Sequence, residues 1–114
     1  MGMAVARPLF ARGAVHLVGL DPTKGGDIRK RRPCLIVSPD ELNQHLRTVV
    51  VAPMTTSGHA CPWRVPCRFR RRSGYVALDQ LRTVDTERLV KCLGKLDSDA
   101  VTQVLRVLQE MFTE

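Results

Sequence analysis

Two stretches of the chain combine residue types that act on phosphate. In the first, Asp21-Pro22-Thr23-Lys24-Gly25-Gly26-Asp27-Ile28-Arg29-Lys30-Arg31-Arg32-Pro33 runs directly into the apolar segment Cys34-Leu35-Ile36-Val37. Pro33 fixes its own φ and biases Arg32 toward extended backbone, so the Arg32 guanidinium leaves from a restrained position at a strand entrance. A planar cation held in this way offers several N–H groups to two phosphate oxygens at once. The twin glycines let the preceding loop bend, or close over a ligand. In the second stretch, the apolar run Val49-Val50-Val51-Ala52 ends at Pro53 and delivers three hydroxyl residues, Thr55, Thr56 and Ser57, into a loop. Hydroxyls at strand ends commonly bond their own backbone. Beside a cation such as Arg32, the same hydroxyl becomes a second donor to a phosphoryl group. His16, His45 and His59 are the side chains that titrate near neutrality.

Positioning these groups requires buried strands. Val15–Leu20 is short, apolar apart from His16 and Gly19, and closed by Asp21-Pro22, the pattern of a strand covered on both faces. Cys34–Val37 and Thr48–Ala52 have the same character. From Trp63 to Arg70 the pattern is period two: Trp63, Val65, Cys67 and Phe69 alternate with Arg64, Arg68 and Arg70. This predicts one core-facing side and one row of arginines, and Pro66 places the strand at an edge. The phase of Trp63 assigns it to the core or to a dimer interface. Arg71-Arg72-Ser73-Gly74 reads as a turn before a strand over Tyr75–Leu78, and Leu89–Leu96 reads as a last strand with Gly94 as a bulge or bend. A short helical turn follows Pro39. From Ser98 the spacing becomes helical, with Val101, Val104, Leu105, Leu108, Met111 and Phe112 on one stripe and Asp97 or Ser98 as its cap. The fold class is mainly β with a C-terminal helix, α+β by count. It is a small, strongly bent sheet or partly open barrel made from five to seven short strands.

Composition narrows the partners. A chain of 114 residues is one domain and buries roughly two-thirds of its unfolded surface, enough for a core without staples. The formal charge of +7 is uneven: residues 1–74 carry 13 Lys/Arg against 4 Asp/Glu, and residues 75–114 carry 5 against 7. The basic part favours a polyanion, and nucleic acid ahead of a membrane surface because no basic amphipathic helix lies there. Cysteines 34, 61, 67 and 92 have neither zinc-ligand spacing nor disulfide-scaffold density, so reduced thiols and no metal are expected. No apolar run has the length of a signal core or a membrane span, and a cytoplasmic location is expected.

Arg12–Pro22, the Gly25–Pro33 loop, the Val50–Thr55 strand end and Leu78-Asp79-Gln80-Leu81-Arg82-Thr83-Val84-Asp85, in this order and spacing, resemble the MazF/PemK family of toxin endoribonucleases. The resemblance covers about nine-tenths of the chain and leaves residues 1–11 as a flexible extension of a single domain. It implies a CcdB/MazF-like, SH3-like barrel subunit in a homodimer. Such proteins cut single-stranded RNA at short motifs without a cofactor or metal, and a MazE-like antitoxin neutralises them. By the same register, Arg32 and Thr55 correspond to the family's catalytic residues. Asp27, Gln80 and Asn43 correspond to RNA-contacting residues, and Lys24, Gly25, Arg31, Thr56 and Ser57 complete the implied substrate-binding set. Where relatives often carry Ser-Glu-Gln after the loop glycine, this chain has Gly26-Asp27-Ile28; where an aromatic is common in the first strand, it has His16. These departures bear on which RNA sequence is read more than on the reaction.

The chemistry stands apart from the resemblance. RNA carries its own nucleophile, so a protein need only align the 2′-hydroxyl and stabilise charge on the phosphoryl oxygens. Arginine is a poor proton acceptor, which makes the histidines the titratable candidates for a base. Two other functions suit the same architecture or charge. A CcdB-type gyrase inhibitor would need no Arg32–Thr55 pair, and a non-catalytic RNA-binding module would use the same arginine-rich surface.

Overall fold

A computed structural model describes residues 9–20 and 31–114. The elements are β1 (Ala14–Gly19), β2 (Arg31–Ile36), α1 (Asp40–His45), β3 (Thr48–Thr55), β4 (Arg64–Phe69), β5 (Arg72–Ala77), β6 (Arg82–Asp85), β7 (Leu89–Lys95) and α2 (Ser98–Met111). One turn of 3₁₀ helix precedes β6 and another follows it. The strands form one antiparallel sheet in the order β4-β5-β3-β2-β1-β7, with β6 also paired to β3. This is the expected bent, open β architecture with a single long C-terminal helix.

Strand β3 is the pivot of the bend. Along one edge it pairs first with β6, through Val51, and then with β5, from Met54. Along its other edge it pairs with β2 over residues 51–53. Pro53 lies in the handover between β6 and β5, where neither strand pairs with it, so its missing N–H costs no ladder bond. The strand therefore continues through Pro53 to Thr55 instead of ending at the proline as the sequence suggested. Strand β2 likewise begins at Arg31, earlier than the apolar run, which places Arg31 and Arg32 in the sheet.

The two faces bury separate clusters. Val15, Leu35, Ala52, Val65, Val76 and Leu78 form the larger core, onto which α2 brings Val104 and Val107. Val18, Cys34, Ile36, Val49, Val51 and Val84 form the second. Asp97 caps α2 by accepting from the Asp99 N–H at 2.9 Å. The helix sits rotated from the expected stripe: Val107 is core, Leu105 is only partly buried, and Phe112 is 76% exposed. Val107 continues from Val104 by three residues, whereas Leu105 and Phe112 lie together at the stripe's edge.

Three further expectations need correction. The β4–β5 connection is a two-residue hairpin at Arg70 and Arg71, because Phe69 pairs with Arg72. Both loop residues take left-handed φ, 52° and 68°. Arg72, Ser73 and Gly74 therefore belong to β5 and not to a turn. Trp63 is 38% exposed and outside both cores, which corrects the core half of its expected core-or-interface placement. Phe10 belongs to the fold instead of a free extension: it packs on the second cluster, its ring lies 5.7 Å from that of His16, and its carbonyl accepts from Asn43. Residues 1–8 lie outside the described residues.

The edge position of β4 and the irregularity at Gly94 match expectation. The β1–β7 register slips next to Gly94, whose φ is +139°. Phe69 of β4 lies over this glycine, 3.6 Å from where a Cβ would stand. The two ends of the open sheet thus meet through side chains.

Candidate active site

Cross-strand register assembles the site. Val18 of β1 opposes Arg32 of β2. The β2–β3 ladder ends with Cys34 opposite Pro53, two residues short of Arg32 and Thr55, which extend the same register. Thr55 opposes Tyr75 of β5, which in turn opposes Pro66 of β4. Opposed residues share a face, and neighbouring strands lie about 4.8 Å apart. Thr55, Tyr75 and Pro66 are thus one transverse row over three strands, on the face away from the larger core, and Arg32 lies on that face just past the end of the β2–β3 ladder.

Within the row, Thr55 is oriented by its own turn. Its Oγ1 accepts from the Ser57 N–H at 3.1 Å and lies 3.2 Å from both the Ser57 carbonyl and the Ser57 Oγ. This is the local strand-end bonding that sequence reasoning weighed against a catalytic role, and the two are compatible. A hydroxyl that accepts from a backbone N–H keeps its own proton free to donate, and only an exposed turn residue competes for it. Arg32 is exposed and has no acidic partner among the described residues. Its carbonyl accepts weakly from the buried Cys34 thiol at 3.5 Å. Burial pushes that thiol up to about 12, against the opposing effect of the Arg32 and Arg82 charges, so Cys34 acts as a small hydrophobe.

A cavity of about 100 Å³ lies on the larger-core side of the same strands, lined by Pro33, Met54, Cys67, Phe69 and Gly74, with Thr55, Thr56 and Tyr75 also in its wall. Arg72 is its one charged lining residue. Gly74 makes the approach of β5 possible, because a Cβ there would lie 2.3 Å from the Thr55 carbonyl oxygen.

The other expected site residues separate. Arg31, Thr56, Ser57 and Gln80 are exposed, the first opposite Gly19 and the last in the 3₁₀ turn after β5. Beside Gln80, Asp79 takes a two-point contact from Arg64, Nε to Oδ1 at 2.8 Å and Nη2 to Oδ2 at 3.1 Å. That hydrogen-bonded cation holds the Asp79 carboxyl below its ordinary pKa, and it removes Arg64 from the free arginine row. Arg70 is also engaged, donating to the Leu93 carbonyl and lying over the Phe69 ring. Arg68, Arg71 and Arg72 remain exposed with no acidic partner among the described residues. Lys24, Gly25 and Asp27 lie outside the described residues.

Asn43 is used differently from the expectation that it contacts RNA. It is 6% exposed; its Oδ1 accepts from Ser38 at 2.5 Å, and its amide donates to the carbonyls of Phe10 and Ser38 at 2.8 and 3.1 Å. Ser38 completes the lock by accepting from the Val50 N–H at 3.0 Å. All of the Asn43 polar atoms therefore point into the protein. His16 is buried too, with burial lowering its pKa and no partner for Nε2 among the described residues, while His45 and His59 are exposed.

Tyr75 and Gly74 escaped sequence reasoning. Their place depends on the hairpin register, and the expected turn at residues 71–74 hid it. A two-residue connection counted back from Tyr75 would have revealed it.

Known proteins were compared with this chain. A family model described as PemK-like, MazF-like toxin of type II toxin–antitoxin system matches residues 11–112. Endoribonuclease PemK of Escherichia coli is 34% identical over 111 residues, covering 90% of this chain and 81% of the relative. Endoribonuclease EndoA of Bacillus subtilis (strain 168) is 30% identical over 107 residues, covering 89% and 92%. Among solved structures, an endoribonuclease in complex with its cognate antitoxin from Mycobacterial species superposes with a TM-score of 0.73 at 27% identity, over 88% of this chain and 91% of the other. MazF in a MazE–MazF crystal structure from Deinococcus radiodurans reaches 0.75 at 24% identity, over 89% and 93%, which speaks for the fold. With the family model covering nearly the whole chain and two endoribonucleases this similar over most of their lengths, the chain belongs to the PemK-like, MazF-like toxins of type II toxin–antitoxin systems.

Proposed function

We propose that this endoribonuclease toxin cuts single-stranded RNA by attack of the substrate's own 2′-hydroxyl, with Arg32 and Thr55 stabilising the phosphoryl group. The observation that carries the reading is the β2–β3 register, which, continued two residues past Cys34–Pro53, brings the Arg32 guanidinium, without an acidic partner among the described residues, level with the pre-oriented Thr55 hydroxyl. The 2′-oxygen forms its bond to phosphorus as the bond to the 5′-oxygen breaks, leaving a 2′,3′-cyclic phosphate and a 5′-hydroxyl. Negative charge grows on the non-bridging oxygens, where the Arg32 fork and the Thr55 O–H can donate. The Thr55 proton leaves Ser57 for the phosphate. Arg32 does not accept the 2′-proton, because guanidinium stays charged; on this exposed face water takes it and returns one to the 5′-oxygen. Nucleophile and electrostatic stabilisation are both supplied without a metal ion or cofactor.

Around this chemistry we place a homodimer, an antitoxin of the MazE kind, and action in the cytoplasm. The Mycobacterial and Deinococcus radiodurans neighbours supply the antitoxin precedent. Among the described residues no helix is long and apolar enough to cross a membrane. Gyrase inhibition loses its footing, since the matched curated relatives are endoribonucleases.

The test is cleavage of mixed-sequence single-stranded RNA in excess EDTA, with matched DNA and the Thr55→Ala variant alongside. Discrete RNA cuts, ending in cyclic phosphate and lost in the variant, are expected. Cuts that appear in DNA, need added metal, or persist at full rate in Thr55→Ala overturn the proposal.

A further inference from the structure

We propose that Tyr75 is a positioning residue on whose ring a nucleobase flanking the scissile phosphate stacks. The inference rests on the ribonuclease reading of Arg32 and Thr55 and adds a residue to that site. Tyr75 is the one tyrosine of the chain and stands directly opposite Thr55, one strand beyond it on the side away from Arg32. The alternation of β5 turns Gly74 and Val76 toward the larger core, where Val76 is fully buried, and leaves Tyr75 on the outer face, partly exposed.

Its surroundings suit a base. Beyond Tyr75 the row ends in the exposed ring of Pro66. Strand spacing of about 4.8 Å brings a base on Tyr75 within one nucleotide of a phosphate held at Thr55. Arg68, one pleat further along β4 opposite Ser73, is exposed with no acidic partner among the described residues, so the strand leaving Tyr75 meets a cation. Stacking on an aromatic tolerates any base while hydrogen-bonding edges elsewhere discriminate, so Tyr75 sets reach and alignment more than sequence.

The experiment is a cycle between protein and substrate. An RNA with a single mapped cut is compared with versions carrying abasic ribose immediately 5′ or 3′ of that cut, using wild type, Tyr75→Phe, Tyr75→Leu and Tyr75→Ala. With wild type, one abasic substrate loses on the order of ten- to a hundredfold in kcat/KM. Tyr75→Phe keeps wild-type rates. Tyr75→Ala and Tyr75→Leu show a comparable loss on intact RNA and almost no further loss on the abasic one. Tyr75→Leu retains apolar bulk, so a folding defect in Tyr75→Ala leaves the comparison standing. If the abasic penalty is the same in the leucine variant as in wild type, the stacking role is wrong even though RNA is still cut. If wild type cuts no RNA at all, the ribonuclease reading itself fails, a result separate from an additive cycle.

Discussion

Thr55 and Asn43 are both short polar residues, yet their hydrogen-bonding capacity points in opposite directions. The Thr55 hydroxyl meets only Ser57 on an exposed edge, and substrate can replace that partner; Asn43 is locked by Ser38 and the Phe10 carbonyl inside the fold. Thr55→Ala and Arg32→Ala should each lower kcat by about a hundred- to a thousandfold with unfolding curves unchanged, the loss associated with one well-placed donor to a developing oxyanion. Asn43→Ala should do the reverse, costing about 2–3 kcal/mol in urea unfolding while the folded fraction keeps its kcat, because three internal hydrogen bonds are lost and buried partners are stranded. A fall in kcat at unchanged stability would restore Asn43 to the RNA surface. His16 adds a pH dependence. Burial lowers its folded pKa below the ordinary histidine value of 6.5, so the unfolded chain binds the proton more readily. Stability from this residue is complete above pH 6.5 and falls as pH drops from there toward the folded pKa. Thermal melts of His16→Leu across this window should show a shallower slope than wild type.

At the level of elements, β5 is placed by a glycine and a strained turn. The Gly74→Ala methyl would meet the Thr55 carbonyl oxygen, a backbone atom that moves only with β3. Cleavage should fall at least tenfold and stability by about 1–3 kcal/mol, as for overpacking against a rigid neighbour; normal activity in this variant would mean that β3 and β5 separate freely. Arg71, at φ 68°, occupies a position that favours glycine, and Arg71→Gly should raise stability by about 0.5–1 kcal/mol in denaturant melts. The same turn marks the limit of what the sequence made legible. Six of the seven strands, the edge role of Pro66 and a cap at Asp97 or Ser98 followed from apolar runs, alternation and capping, which are local, whereas the short β6 (Arg82–Asp85) carried no such pattern and was missed. The pairing of Tyr75 with Thr55 and the passage of β3 through Pro53 depend on partner exchange along one strand, which periodicity does not encode. Thr55 was legible as a hydroxyl at a strand end, and Arg32 as a cation before a proline. Their opposition required the β2–β3 register, and the burial of Asn43 required knowing where Phe10 returns.

Across the whole molecule, charge and site lie on connected surfaces. Of the arginines on the β4–β5 hairpin and its strands, Arg64 is neutralised by Asp79 and Arg70 is tied to the backbone of β7, which leaves Arg68, Arg71 and Arg72 exposed and without an acidic partner among the described residues, beside the row that contains Thr55. A single RNA strand crossing Arg32, Thr55 and Tyr75 reaches this hairpin next. Binding there releases counterions from the strand, so its strength falls with salt in proportion to the phosphates contacted. For single strands each contact contributes about 0.7 to the slope of log K against log salt. Arg68→Gln combined with Arg71→Gln should therefore reduce the slope by about 1.4, raise KM for all RNA sequences alike, and leave kcat and the cleavage motif unchanged. A double variant with the wild-type salt slope would show that RNA leaves Tyr75 by another route and that the free arginines serve solubility or the antitoxin. A changed motif with an unchanged slope would make them readers of bases instead of phosphates.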